Sequence, residues 1–347
     1  MLRAVILVGG EGTRLRPLTH YLPKPMVPVL NRPFLEHIIA HLKTGGVEHI
    51  TLAMGYLPEA IRTYLGKDTR LGVPLSYTVE ESPLGTAGAV KNAEPHLDDT
   101  FIVLNGDIFT DLNLSDMLAY HRRQGARATI ALTRVDDPTP FGVVETGDDG
   151  RVRRFIEKPP ADQVTSHWIN AGIYVLEPEV LQPVPAGRHY MFERGLFPLL
   201  LEQGTPIYGY PHRGYWLDMG TPEKYLRLNR DLLLGRATSP LLGWLKGNEV
   251  SCGEATTIPA SARVTGPVLI GPRCRIGERV RLKGPVVIGA DCRVDEAASI
   301  EAAVLWDEVS IGAGARLKQG VVSRGTVIGE NDRVSNRVVT PEHSISW

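Results

Sequence analysis

The sequence predicts an α/β chain in two parts: a Rossmann-like, mostly parallel sheet domain, then a left-handed parallel β-helix. Three observations predict it. Over the first two-thirds, strand-like apolar runs alternate with helical patterns, as expected where crossover helices join parallel strands. A glycine-rich loop follows the first of those strands. Through the last third, aliphatic residues recur every six positions, the rhythm of a parallel β-helix. A length of 347 residues allows about two domains. The expected boundaries are 1–234 for the sheet domain, 235–257 for a linker or first-coil cap, and 258–347 for the β-helix.

The elements follow in chain order. Residues 4–8 form a buried apolar run that ends in Gly9-Gly10. Residues 35–42 have helical spacing and stop at Gly45-Gly46. Residues 50–54 are apolar, 59–65 helical, 75–79 a strand, and 86–93 a helix. Residues 101–104 form another strand, ending at Asn105-Gly106-Asp107. Residues 116–123 are helical and 129–135 strand-like. Ligands in such sheets sit beyond the carboxyl ends of the strands, so the loops after Val8, Val79 and Leu104 draw attention. The runs 143–146 and 152–156 flank Gly147-Asp148-Asp149-Gly150, a hairpin signal inside an inserted antiparallel section. A closing helix runs from Pro222 to about Leu234, with Thr221 as N-cap and Pro222 at the first helical position.

In the last third the aliphatic series runs Ile258, Val264, Ile270, Ile276, Leu282, Ile288, Val294 and Ile300. It shortens to five residues at Leu305 and again at Val322, so local irregularities are expected there. One hexad per face of a triangular coil makes about 18 residues per turn. Cys274 and Cys292 stand 18 apart and should stack in the core. The tail 338–347 is positioned to cap the open end.

Composition removes several classes of function. Lys plus Arg is 38 and Asp plus Glu is 39, a net charge of −1. That balance argues against bulk attraction to nucleic acid or an anionic membrane, although a local basic pocket remains possible. No apolar run reaches the length that spans a bilayer, and the N-terminus reads as a strand rather than a signal peptide. Cys252, Cys274 and Cys292 form no CxxC pair, which fits a reduced cytoplasmic enzyme. His20, His167 and His212 have no metal-ligand spacing.

The chemistry concentrates in Leu7-Val8-Gly9-Gly10-Glu11-Gly12-Thr13-Arg14-Leu15-Arg16, followed by Pro23-Lys24-Pro25-Met26. A glycine-rich loop after a strand turns backbone N–H groups toward an anion. No Gly-Lys-Ser/Thr closes it, so it is not a Walker A loop. Leu15 stands where a dinucleotide fingerprint needs its third glycine. Arg14, Arg16 and Lys24 beside such a nest suit a triphosphate.

On these residues the chain resembles the sugar-1-phosphate nucleotidyltransferases over almost its whole length. The runs Pro23-Lys24-Pro25-Met26-Val27-Pro28-Val29-Leu30-Asn31-Arg32-Pro33 and Pro83-Leu84-Gly85-Thr86-Ala87-Gly88 look most like the mannose-1-phosphate guanylyltransferase branch. The resemblance implies that Leu7, Gly9, Gly10, Gly12, Thr13 and Gly85 bind the nucleotide. It implies that Arg14 and Lys24 neutralise the triphosphate and departing pyrophosphate. Asp107 and Asp218 match the two metal-binding aspartates, whose hard oxygens suit Mg²⁺. Glu157-Lys158-Pro159 matches the sugar-phosphate motif, with Lys158 on the phosphate and Glu157 on sugar hydroxyls; Gly142 and Asn170 match positions lining the sugar. Thymidylyltransferases of the family carry glutamine where ungapped matching puts Glu80, with Glu81 one residue away. A carboxylate offers only acceptors and suits the adjacent N1–H and N2 amine of guanine.

The expected reaction is GTP with mannose 1-phosphate, giving GDP-mannose and pyrophosphate. Its rivals are thymidylyl or uridylyl transfer to glucose 1-phosphate and a non-catalytic regulatory subunit. An acyltransferase site in the coils is disfavoured because no histidine lies between Gly214 and Glu342. The expected partners are small molecules, with no nucleic acid and no membrane. The β-helix is expected to make the protein a homo-oligomer.

Overall fold

The computed structural model describes residues 1–66, 71–243 and 250–347. The chain divides into two compact units, one formed by Met1–Glu11 with Ile38–Trp216, the other by Gly12–His37 with Leu217–Trp347.

The first unit is built on a nine-stranded sheet. Its strands are β1 (Arg3–Val8), β2 (His49–Met54), β3 (Leu75–Val79), β4 (Phe101–Asn105), β5 (Ala128–Arg134), β6 (Gly142–Thr146), β7 (Val152–Glu157), β8 (Trp168–Leu176) and β9 (Ile207–His212). Their order is β7-β6-β8-β4-β1-β2-β3, with β5 also on β8 and β9 on β5. Strands β4, β1, β2 and β3 are parallel. The near-continuous apolar runs of β4, β1 and β2 suit strands buried on both faces, while β3 at the edge is only half-buried. The antiparallel strand β8 extends this core. The expected hairpin is present as β6 and β7, paired antiparallel.

Helices α1 (Phe34–Thr44), α2 (Pro58–Leu65), α3 (Gly85–Asn92) and α4 (Leu114–Gln124) follow in sequence, then α5 (Phe197–Glu202) and α6 (Pro222–Leu233). Local chemistry sets their ends. The Asn113 side chain accepts from Asp116 N at the start of α4, and Gly125 takes the left-handed conformation at its end. Thr221 accepts from Lys224 N and Pro222 opens α6, as the sequence indicates. Tyr174, Phe192 and Phe197 are fully buried, with ring centroids 5.2 to 5.4 Å apart. They join β8 to α5 in the core.

The second unit carries the parallel β-helix. Val264 pairs with Leu282 and Ile270 with Ile288, 18 residues on. Ile288 then pairs with Leu305 and Leu305 with Val322, 17 on. The two short steps in the sequence are therefore one corner that loses a residue on successive turns. Ala302 and Gln319 turn that corner, both at φ 48. Cys274 and Cys292 are buried and free, while Cys252 is exposed. The stack already includes Val250–Cys252, parallel to Val268–Ile270, inside the stretch read as linker or first-coil cap; part of that stretch, 244–249, lies outside the described residues. At the far end Ser344–Ser346 folds back antiparallel on Arg337–Val339.

The β-helix faces differ. One presents Leu269, Val287, Val304 and Val321, all buried. Leu226 and Leu233 of α6 stand over it, enclosing a cavity of about 190 Å³ with Val287 and Val304. A second face presents arginines, considered below.

Candidate active site

In the second unit, the basic loop comes first. Gly12 adopts φ 63, a conformation that costs a side-chain-bearing residue about 1 kcal/mol or more, and leads into a single 3₁₀ turn, Thr13–Leu15. The Thr19 hydroxyl donates to Gly12 O at 2.9 Å and fastens the loop back on itself. The run after Lys24 forms a tight hairpin, Pro28–Val29 against Arg32–Pro33, with Leu30 and Asn31 at positive φ. Three bonds anchor this hairpin. Leu30 N donates to Asn229 Oδ1 at 3.0 Å, the Tyr225 hydroxyl to Pro28 O at 2.5 Å, and Asn31 Nδ2 to Ile288 O at 2.8 Å.

That anchoring delivers two cations to Asp218. Lys24 Nζ lies 3.9 Å from Asp218 Oδ1 and an Arg14 guanidinium nitrogen lies 3.8 Å from Oδ2. Lys24 and Asp218 are buried, whereas the Arg14 side chain is 65% exposed. A third cation was not foreseen: Lys224 Nζ, 3.3 Å from Asp218 Oδ2. The signal for it was in the sequence. A lysine in the first turn of a helix opposes the helix dipole and needs a local anion to justify it. Asp218 Oδ1 is buried without a hydrogen-bond partner. Such an oxygen, costly to leave unsatisfied, fits a hard divalent cation. Among the described residues no group of three or more His, Cys, Asp or Glu converges on one point. A Mg²⁺-type site needs only about one or two carboxylates, with water and phosphate completing the shell.

The first unit holds the other candidates. Leu7, next to last in β1, pairs with Asn105 at the end of β4, and Asp107 stands two residues beyond Asn105, half-buried. Gly10 is exposed. A Cβ on Gly9 would stand 3.4 Å from Glu80 Oε1, so the loop and this carboxylate adjoin. Glu80 and its neighbour Glu81 sit in different environments. Glu80 Oε2 accepts from Leu84 N at 2.9 Å, and burial raises its pKa above the usual carboxylate range, while Glu81 is exposed. Gly85 opens α3 at φ 70 against Tyr190 O.

Glu157 ends β7 opposite Gly142. A Cβ on Gly142 would stand 2.9 Å from Glu157 Oε2 and 2.7 Å from the Phe155 ring, so only glycine fits there. Lys158 is exposed and held at φ 53, its N–H donating to Phe141 O. A lysine in this sparsely populated region costs about 1–3 kcal/mol. Asn170 donates to the Tyr174 hydroxyl at 2.8 Å and accepts from Gly172 N at 2.9 Å. Sequence reading missed Glu193. It sits buried on a π-helical turn, Phe192–Leu196, a feature common at functional sites. Its Oε2 accepts from Thr86 Oγ1 at 2.8 Å and its Oε1 from the Tyr174 hydroxyl at 3.4 Å. Burial first, then the charge of Glu193, raises the Glu157 pKa. No motif around Glu193 announces it; only the fold brings it there.

The candidates thus gather in two sets. Gly12, Thr13, Arg14, Lys24 and Asp218 belong to the second unit; Leu7, Gly9, Gly10, Glu80, Gly85, Asp107, Gly142, Glu157, Lys158 and Asn170 belong to the first. Among the described residues no helix is long and apolar enough to cross a membrane.

Comparison with known proteins places the chain in a family. Residues 3–234 match the nucleotidyl transferase family, and 264–345 match the GMPPB C-terminal domain. The mannose-1-phosphate guanylyltransferase of Mycobacterium tuberculosis is 42% identical over 79% of this chain and 77% of its own. The UTP–glucose-1-phosphate uridylyltransferase of Synechocystis is 35% identical over 92% of this chain and 87% of its own. Among solved structures, HddC from Yersinia pseudotuberculosis has a TM-score of 0.58 and 30% identity over 66% of this chain and 98% of its own. The same protein has also been solved complexed with GMP-PN. Since the matched family spans both the glycine-rich loop and Asp218, the chain belongs to the nucleotidyl transferase family.

Proposed function

We propose that the protein transfers a guanylyl group from GTP to mannose 1-phosphate, releasing pyrophosphate. The observation that carries the choice of base is Glu80. It is a half-buried carboxylate beside the glycine loop, with Oε2 on Leu84 N and Oε1 facing Gly9. Guanine presents two adjacent donors, N1–H and the N2 amine, and a carboxylate offers only acceptors. Uracil presents one donor flanked by two carbonyls, which an anionic oxygen repels. Several mannose-1-phosphate guanylyltransferases among the relatives support the reading. The Synechocystis relative supports the second one, uridylyl transfer to glucose 1-phosphate.

In the reaction a phosphate oxygen of the sugar phosphate attacks the α-phosphorus in line with departing pyrophosphate. No protein nucleophile is required, so positioning and charge stabilisation supply most of the rate. Gly9, Gly10, Gly12 and Thr13 present backbone to the phosphates. Arg14 and Lys24 neutralise the triphosphate as its charge moves to the leaving group. Glu157 and Asn170 hold sugar hydroxyls, and Lys158 the sugar phosphate. Asp107 and Asp218 would hold a divalent cation, which we take to be Mg²⁺, and it would supply charge stabilisation to the phosphates. Lys224 holds Asp218 Oδ2, while Oδ1 accepts no hydrogen bond and would be the oxygen open to the ion.

The test is pyrophosphate release with GTP, dTTP, UTP, CTP and ATP, each crossed with mannose-, glucose-, galactose- and N-acetylglucosamine-1-phosphate. Rapid release confined to GTP with mannose 1-phosphate is expected. A preference for UTP with glucose 1-phosphate would establish the second reading. Nucleotide-sugar binding without release by any pair would make the chain a non-catalytic subunit.

A further inference from the structure

The second face of the β-helix carries a column that the reaction does not use. Its outward positions Arg263, Arg281, Ser299, Arg316 and Arg333 stack rung upon rung in register. All four arginines are exposed. Rungs of a sheet lie about 4.8 Å apart, so the column runs about 19 Å.

Several cations elsewhere on the β-helix meet acids one rung away. Arg273 reaches Asp291 at 2.6 Å, Arg279 reaches Glu296 at 3.0 Å, and Lys283 reaches Glu301 at 3.2 Å. The column arginines have no such partner among the described residues. Like charges stacked on neighbouring strands are destabilising, whereas opposite charges contribute favourably. The face therefore carries an uncompensated positive charge that the fold itself does not require. The neighbouring outward column adds Lys283 and Lys318 against a single acid, Glu301.

We propose that this face docks on an anionic lipid surface. Three properties select that partner. The in-register rungs make an extended array of charge rather than a pocket, and it suits a plane. The cations are spaced irregularly, since Ser299 interrupts the column; mobile headgroups adapt to such spacing, while a polymer of fixed repeat would not. The outward positions hold no aromatic side chain on which the bases of single-stranded nucleic acid could stack. Nor do they hold an apolar one, so the contact is electrostatic and reversible, without insertion. A second copy presenting the same column would be repelled. The chain's net charge of −1 conceals the feature, because charges act over roughly 8 Å at physiological salt and these two columns hold six cations against the one acid Glu301.

The test is sedimentation of the full chain with vesicles of equal parts phosphatidylglycerol and phosphatidylcholine, against phosphatidylcholine alone. The double variant Arg281→Ser, Arg316→Ser is compared. Serine already occupies the middle rung, so the stack tolerates it, and neither arginine belongs to the proposed catalytic machinery. Wild type should bind only the anionic vesicles and be released by high salt. The double variant should bind about thirtyfold more weakly, at roughly one factor of five per basic residue near such a surface. Its thermal melt should be no lower than that of wild type, since the stacked charge is relieved, and its pyrophosphate release in solution should be unchanged. Equal vesicle binding by wild type and variant would overturn the proposal. So would absence of binding, including the case where inorganic polyphosphate or single-stranded DNA binds and vesicles do not.

Discussion

The two sets of candidate residues treat negative charge in opposite ways. In the second unit a single buried carboxylate, Asp218, has three cations around it, Lys224, Arg14 and Lys24, at 3.3 to 3.9 Å. In the first unit Glu80 and Glu157 are held by burial above the usual carboxylate range, and Glu157 faces the further charge of Glu193. The difference is what two kinds of ligand require. Phosphate needs cations, and those cations need a resident anion to keep them ordered before the ligand arrives. A base edge or a sugar hydroxyl offers donors, and the group that receives it must be an acceptor not already occupied by a cation. The largest expected effect is the one that breaks the cationic set. Asp218→Asn keeps the shape, removes the charge that three cations share, and takes away the oxygen proposed to hold the divalent cation. We expect kcat to fall about a thousandfold, while the dissociation constant for GTP, measured by calorimetry, stays level or decreases. A loss confined to GTP binding, with kcat intact, would place Asp218 outside the chemistry.

Breaking the carboxylate set should act on KM instead. Glu157→Gln retains one acceptor oxygen and loses the charge. It should raise the KM for sugar phosphate about thirtyfold, the scale of a lost charged hydrogen bond, with GTP binding untouched. Glu193→Gln should relieve the repulsion that lifts Glu157, and so shift the acid limb of kcat/KM for sugar phosphate to lower pH. An unmoved limb would mean that Glu157 does not titrate in the profile.

Glu80 sharpens the contrast further. Its carboxyl must be ionised to accept from both guanine donors, and burial makes it bind its proton at higher pH than an ordinary glutamate. Recognition of GTP should therefore weaken on acidification sooner than recognition of a nucleotide with one donor. Glu80→Gln removes the charge and the titration together. The GTP-to-UTP ratio of kcat/KM should fall about tenfold, and the acid limb specific to GTP should flatten. A ratio that does not change would transfer base selection to another residue.

What the sequence disclosed follows from how local each feature is. Hexad positions repeat, so each inward aliphatic was readable, and so were the two places where a turn is short. Asp218 and Lys24 were readable through motifs of a few residues. Lys224 was hidden in plain view, because its meaning lies in an unfavourable place on a helix rather than in a pattern. Glu193 could not have been read at all. It belongs beside Glu157 only because a π-helical turn, the Thr86 hydroxyl and the Tyr174 hydroxyl bring it there, and no spacing in the chain records that. The arginine column was equally invisible to total charge, since it exists only once five rungs are in register.

A last group tests whether burial without charge behaves as burial with it does. His37, in the second unit, is buried. Its Nε2 contacts Val29 O at 3.0 Å and its Nδ1 the Ser239 hydroxyl at 2.8 Å. A carbonyl only accepts, so Nε2 carries the hydrogen and Nδ1 accepts from Ser239. Removal from water, only partly offset by the bond to Val29, holds this imidazole down to about 4 from an ordinary 6.5. Between those values the unfolded chain binds a proton that the folded chain refuses. Stability linked to His37 is therefore complete above about pH 6.5 and is lost as pH falls toward 4. From pH 7.5 to 5 the loss should be about 2 kcal/mol, at roughly 1.4 kcal/mol per pH unit once below 6.5. His37→Asn should start less stable at pH 7.5, for want of one hydrogen bond, and then lose less than wild type, so that the urea midpoints of the two proteins converge by pH 5. Parallel midpoints across that interval would mean that His37 takes up its proton in the folded state. Burial in this unit would then be less complete than the cationic set around Asp218 requires, and the compensation argued for that carboxylate would have to come from solvent instead.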